Sequence, residues 1–271
     1  MISRRALLSS GLAASAVAGC SVNKTIAPPY RMPIAPPPPD RATLGLDAVI
    51  DLSRSVTVAS FSQVRASGIL GVIHKASEGG DYADTACAAR RLQAEAAGLM
   101  WGTYHFGTGQ MPGERQAAFY LSMTRPGPRT LLALDLEANE NNPSNSMSLE
   151  QGEAFVRTVA EATGRLPIVY VHPTWANGEP LPNSGLSLGA RITPASILAR
   201  CGLWVADYHD SPEVPFAWEA TGWRLWQYAG DESAGRPAYG QTTIVQGVSH
   251  CDRNLFNGDA GALQRFWGGA N

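Results

Sequence analysis

The residues best placed to do chemistry in this 271-residue chain are Asp135 and Glu137. They end the short apolar run Thr130-Leu-Leu-Ala-Leu-Asp135-Leu-Glu137. In a strand, side chains at i and i+2 share a face, with Cα atoms about 6.6 Å apart, so the run would aim both carboxylates into one site. Two acids so close cannot ionise independently, and one keeps its proton near neutral pH. Hydrolysis of a glycosidic bond needs such a pair: an acid for the leaving oxygen and a carboxylate that stabilises or attacks the anomeric carbon. Asp-x-Glu also occurs as a plain solvated strand end, so the reading depends on the scaffold around it.

That scaffold is legible as a series of apolar runs ending in polar or aromatic groups. Strands are expected near 48–51, 70–78, 102–106, 130–137, 167–172, 203–208, 225–228 and 250–254, with helices over 60–68, 83–97, 113–123 and 149–163. Strands alternating with amphipathic helices imply βα units and a parallel sheet. Eight strands with chemistry at their C-terminal ends imply an α/β fold, a TIM-like (β/α) barrel. The last three strands lack long intervening helices, so an irregular barrel with fewer helices in its second half is expected. Residues 43–271 suffice for one such catalytic barrel.

Composition narrows the function. A net charge of −2 and 16% charged residues leave no basic footprint for nucleic acid. No His-x-x-x-His pair is present, which argues against a zinc-dependent deacetylase, and neither a metal nor another cofactor is expected. His74 reads as a satisfied packing residue and His105 as hydrogen-bonded within the barrel, whereas His172, His209 and His250 could line a mouth. Position 133 is Ala, so a chitinase-type Asp-x-Asp-x-Glu motif is missing. Cys87, Cys201 and Cys251 have no CxxC spacing and read as buried or free thiols, with Cys201 near the start of its strand and Cys251 near the end of the last one.

The first residues read as an export leader. Arg4 and Arg5 precede an uncharged stretch over 6–18 that is too short to span a bilayer. Val17-Ala-Gly-Cys20 is similar to a bacterial lipobox, which would make Cys20 a lipidation site and 1–20 a signal peptide. Residues 21–42 read as a tether, because seven prolines between Pro28 and Pro39 favour extended polyproline II. The chain is therefore expected to be exported and held at the cell envelope by a lipid on Cys20.

With these residues in view, the chain resembles glycoside hydrolase family 25, the lysozymes and muramidases. The likeness rests on Val49-Ile-Asp51, Lys75-Ala-Ser-Glu78-Gly79, Tyr104-His105-Phe106, Asp135-Leu-Glu137, Tyr170, Trp204-Val-Ala-Asp207-Tyr208, Trp226-Gln227-Tyr228 and Asp252-Arg253-Asn254, in that order. The resemblance implies Glu137 as general acid/base and Asp135 as support for the substrate's N-acetyl group or as the group acting on the anomeric carbon. It implies Asp51 and Asp252 as flanking carboxylates that complete the catalytic set. Tyr104, Tyr170, Trp226 and Gln227 would contact the sugar. The implied partner is peptidoglycan, cut by a monomer between N-acetylmuramic acid and N-acetylglucosamine; the alternative is an idle peptidoglycan-binding envelope lipoprotein. Arg253 and Asp207 depart from the family's usual residues, and the Gly-, Pro- and Ser-rich segment 176–200 would form an unusual loop over the site.

Overall fold

The structure, a computed structural model, describes residues 44–230 and 245–268. The expected leader, its lipobox at Cys20 and the tether lie outside the described residues. Among those described, no helix is long and apolar enough to cross a membrane.

Eight strands close into a barrel: β1 (Leu46–Leu52), β2 (Gly71–Glu78), β4 (Met100–Phe106), β5 (Leu131–Asp135), β6 (Ile168–Val171), β7 (Leu203–Ala206), β8 (Trp223–Ala229) and β9 (Asp252–Phe256). Their order around the sheet is β1-β9-β8-β7-β6-β5-β4-β2, and β1 pairs with β2 to close it. The two-residue strand β3 (Tyr82–Ala83) folds back antiparallel on the end of β2. It displaces the expected helix start at 83, so α2 spans Cys87–Ala96.

One feature departs from an all-parallel barrel. β9 runs antiparallel to both of its neighbours, β1 and β8. Its first residue therefore lies at the same end of the barrel as the last residues of the other strands. Cys251 precedes β9 rather than ending it, but β9's reversal still leaves Cys251 on the rim opposite Cys201, and all three described cysteines are free.

Helices α1 (Phe61–Ala66), α3 (Gly113–Thr124) and α4 (Leu149–Thr163) join α2 around the first half. After α4, among the described residues, only the single turn α5 (Pro173–Ala176) and short 3-10 turns precede the C-terminal α6 (Ala260–Trp267). Local sequence fixes these boundaries. Ser148 and Gln151 form a reciprocal capping box on α4, and Gly164 ends the helix with φ 70°. α3 and α4 approach closely because Gly113 has no side chain: a Cβ there would lie 1.9 Å from the Gln151 carbonyl oxygen.

Alternation along the strands divides the core in two. Val49, Ile73, Leu131, Ala133, Ile168, Trp204 and Leu225 point into the barrel, where Leu263, Phe266 and Trp267 of α6 pack against them from below. Gly71 admits this plug, since a Cβ there would fall 2.6 Å from the Trp267 ring. Ile50, Val72, Leu132, Leu134, Val169, Val205 and Trp226 point outward into the second layer. One end of the barrel is thus sealed by α6, and chemistry is confined to the other.

Candidate active site

The same alternation delivers the polar groups. On β5, Leu131 and Ala133 face inward, so Asp135 does too, and Glu137 follows two residues later. Val49 puts Asp51 inward on β1, Ile168 puts Tyr170 inward on β6, and Leu225 puts Gln227 inward on β8. On β9 the reversal brings Asp252 into register with Asp51. Asp51, Tyr104, Asp135, Glu137, Tyr170, Trp204, Gln227 and Asp252 line one cavity of about 100 Å³.

A hydrogen-bonded scaffold sets the orientation of Asp51. Tyr170 and Tyr208 each donate a hydroxyl to Gln227 Oε1, at 2.8 Å in both cases. This fixes the Gln227 amide, whose Nε2 donates to both Asp51 oxygens at 3.1 and 3.3 Å. From the floor, Trp204 Nε1 donates to Asn254 Oδ1 at 2.6 Å, and Asn254 Nδ2 donates to Asp51 Oδ2 at 2.8 Å. Trp204 also meets the edges of Tyr104 and Tyr170, with ring centroids at 6.4 and 4.9 Å.

Burial dominates the electrostatics. It raises Asp51, against the opposing effect of hydrogen bonds from Asn254, Gln227 and Asp252. It raises Asp135 well above the ordinary carboxylate range, and the charge of Glu137 adds to the shift. Glu137 is pushed up to about 7 by burial, moderated by the positive charge of Lys75. Lys75 is held by Glu78 at 2.7 Å and lies over the rings of Tyr82 and Phe106. Asp135 Oδ1 is buried without a hydrogen-bond partner. An acceptor left bare in a polar cup is arranged for a donor brought by a ligand.

Glu137 also borders a second, wider cleft of about 590 Å³, which runs past Asn139, Trp175, Leu181 and Tyr208. Glu137 lines both the cup and the groove, and its raised carboxyl stands where they meet. The expected loop contributes through Leu181, Pro182 and Asn183, which form one flank of that groove rather than a cover over the cup.

Seven of the eight residues expected at the site line the cup. Trp226 does not. It follows an inward residue and precedes another, so it must face outward; it is fully buried and donates Nε1 to the Asp207 carbonyl oxygen at 2.6 Å. Gln227 reaches the cup, but its amide is engaged with Asp51 and the two tyrosines. The departures are likewise structural: Arg253 faces outward and pairs with Asp47 at 2.8 Å, and Asp207 accepts the backbone N–H groups of His209 and Glu213.

His74 is buried between the Lys75 carbonyl and Arg90. His105 lies between the sheet and the helices, bonded to Ser77 and Gln116. His172 and His209 border the groove. Trp204, Asn254, Tyr208 and Lys75 were not singled out from the sequence as site residues. For Asn254 the signal was present, as it stands at i+2 from Asp252.

The described family of glycosyl hydrolases family 25 matches residues 50–235. The chain belongs to this family. Lysozyme M1 of Streptomyces globisporus is 29% identical over 250 residues, covering 83% of this chain and 74% of the relative. Among solved structures, the bacterial lysozyme of Streptomyces coelicolor superposes with a TM-score of 0.68 at 28% identity, covering 84% of this chain and 99% of the other. A muramidase from Acremonium alcalophilum gives 0.64 at 27% identity, covering 81% and 98%. The family 25 chain is accordingly a glycoside hydrolase of the lysozyme type, and its barrel is the irregular α/β barrel of those enzymes.

Proposed function

We propose that this chain is an exported, membrane-tethered muramidase that cleaves the β-1,4 bond between N-acetylmuramic acid and N-acetylglucosamine in peptidoglycan. The observation that carries the reading is Glu137, a carboxyl raised to about 7 at the junction of cup and groove, beside the buried Asp135. At neutral pH burial lets such a pair hold a proton that neither acid would hold in water.

Glu137 donates that proton to the glycosidic oxygen as the bond to the anomeric carbon lengthens. The acetamido oxygen of the muramic acid residue attacks the same carbon from the opposite face. The acetamido nitrogen then carries developing positive charge, and its N–H finds the bare Oδ1 of Asp135 as acceptor. Water next adds to the anomeric carbon, with the Glu137 carboxylate taking its proton, and the acetamido group is restored. Asp51 and Asp252 hold the sugar in the cup through their ordered carboxyls, while Tyr104 and Tyr170 contact its polar edge.

Export rests on Arg4, Arg5 and the apolar stretch that follows, and anchoring rests on Val17-Ala-Gly-Cys20 with the proline-rich 21–42 as spacer. The test of activity is digestion of purified peptidoglycan followed by mass analysis of the released muropeptides. Products with a reducing muramic acid end support the reading. Intact glycan after binding supports the idle wall-binding alternative. Cys20→Ser should move the protein from the membrane to the soluble fraction; unchanged detergent partitioning would overturn the anchor.

A further inference from the structure

The sealed end of the barrel carries a charge opposite to that of the mouth. Arg129 stands two residues before β5, Arg200 three before β7, and Arg224 is the second residue of β8. Arg125 caps the C-terminus of α3 and Arg265 belongs to α6. All five are exposed, and among the described residues none forms an ion pair. Against them stand two exposed acids without an ion pair, Glu161 near the end of α4 and Glu219 before β8. Glu95 is paired with Arg91, and Asp259 caps α6. The mouth and its groove, by contrast, gather Asp51, Asp135, Glu137, Asp252, Glu140 and Glu213.

Two recesses flank α6 on the sealed end, one of about 710 Å³ bordered by Arg129 and one of about 450 Å³ bordered by Arg200. Met123, in the last turn of α3, is 40% exposed at the same end. β1 also starts there, with Leu46 at the sealed end. Arg129 and Arg200 at the rims of the two recesses, with Arg125, Arg224 and Arg265 exposed on the same end, form a face matched to phosphate. The exposed acids of the groove, Glu140 and Glu213, are repelled by the same surface that attracts this face.

We propose that the sealed end is a docking face for an anionic phospholipid membrane, holding the barrel with its catalytic mouth turned away from the bilayer. The choice of a membrane over a soluble polyanion rests on the anchoring reading given above; the arginine face itself does not. Anchor and face then act together: the lipid sets the distance from the bilayer, and the arginines set the orientation.

The test uses the full chain carrying Cys20→Ser, so that no lipid contributes. Sedimentation with vesicles of equimolar phosphatidylglycerol and phosphatidylcholine is compared with phosphatidylcholine alone, for the parent and for R129Q/R200Q/R265Q. The proposal expects the parent to prefer the anionic vesicles, the preference to fade with added salt, and the triple variant to bind them about 100-fold more weakly. Release of fragments from soluble peptidoglycan should be unchanged in the variant, since none of its three residues touches the cup or groove. Should the triple variant not fold, each single substitution is expected to weaken binding about fivefold.

Equal binding of parent and variants to anionic vesicles, or equal binding of the parent to both vesicle types, overturns the proposal. Tighter binding to poly(glycerol phosphate) than to vesicles at equal phosphate overturns the membrane in favour of a wall polymer. A parent inactive on peptidoglycan would sink the muramidase reading and leave the vesicle result standing.

Discussion

Asp51 and Asp252 are direct cross-strand partners in the antiparallel β1–β9 pair, although they stand near opposite ends of the catalytic chain. Their meeting depends on the reversed direction of β9, because a parallel last strand would carry Asp252 to the sealed end. The register also explains why Asn254 reaches Asp51: it is the next inward residue of β9, and its amide bridges the Asp51 carboxylate and the Trp204 indole. One carboxylate thus receives donors from β8 and β9 and a hydrogen bond from Asp252.

Removing part of that support should therefore cost both order and rate. Gln227→Met keeps the side chain's bulk but leaves the hydroxyls of Tyr170 and Tyr208 without their shared acceptor and Asp51 with the Asn254 and Asp252 contacts alone. Buried polar groups left unpaired cost about 1–3 kcal/mol each, so urea denaturation should show a loss of about 2–4 kcal/mol after partial rearrangement. The turnover number should fall more than KM rises, because a disordered Asp51 affects the reacting geometry. A variant as stable and as active as the parent would show that the network does not hold the cup.

Glu137→Gln should lower the turnover number by ~10²–10⁴-fold, the usual worth of a positioned proton donor, with glycan binding retained. Single-turnover digestion and a binding isotherm on the same preparation separate the two quantities. The parent's rate should decline as pH rises through about 7, where Glu137 loses its proton. Turnover of the Gln variant within a few-fold of the parent would remove Glu137 from the proton-donor role.

The same residue links pH to stability. Burial raises Glu137 from 4.5 to about 7, so the folded chain holds a proton there that the unfolded chain releases between those values. Stability must fall as pH rises across that window and stay lower above it. The full rise corresponds to ~3 kcal/mol, and the partial exposure of Glu137 reduces this to about 1–2 kcal/mol. Glu137→Gln should accordingly stabilise the protein at pH 8 and make little difference at pH 4. Thermal melts at the two pH values check the sign.

Trp226 shows where linear motifs mislead. It sits beside Gln227 in a run that looks like a single sugar-binding patch, yet neighbours on a strand cannot both face the same way. The inward carboxylates were legible because i, i+2 spacing needs no tertiary information. The reversed β9 was not, since strand direction depends on the length and path of the connection and not on the strand's own residues. The helices of the first half were readable from their amphipathic pattern between the apolar runs. The floor at Trp204 was hidden because a buried tryptophan looks the same in sequence whether it fills a core or supports a site.

Trp226→Phe should therefore lower stability without altering KM. The Asp207 carbonyl loses its indole donor and the outer layer loses packing against Trp223 and Tyr228. A cost of about 1–3 kcal/mol is expected from the lost hydrogen bond and volume. Kinetics on peptidoglycan with parallel melting curves would distinguish this from a binding role. A rise in KM at unchanged melting temperature would return Trp226 to the substrate side.

The stereochemistry expected of the proposed muramidase rests on what Asp135 is free to do. Its Oδ1 is buried and bare, while burial and the charge of Glu137 make a second negative charge in the cup unfavourable. A carboxyl so placed is better suited to accept the N–H of a group acquiring positive charge than to carry a water nucleophile, which would itself need space and partners. The cup that Asp135 lines is small, about 100 Å³. Attack by the substrate's own acetamido oxygen avoids the problem, and a second displacement by water then returns the original configuration. NMR of the first-formed product should show the β-anomer before mutarotation. An initial α-anomer would mean that water attacks directly, with Asp135 as its base. Glycan de-acetylated on the muramic acid should be cut at least ~10²-fold more slowly, since a well-placed internal nucleophile contributes at least that much through proximity. Equal rates on acetylated and de-acetylated glycan would take the acetamido group out of the mechanism and leave Asp135 as the nucleophile.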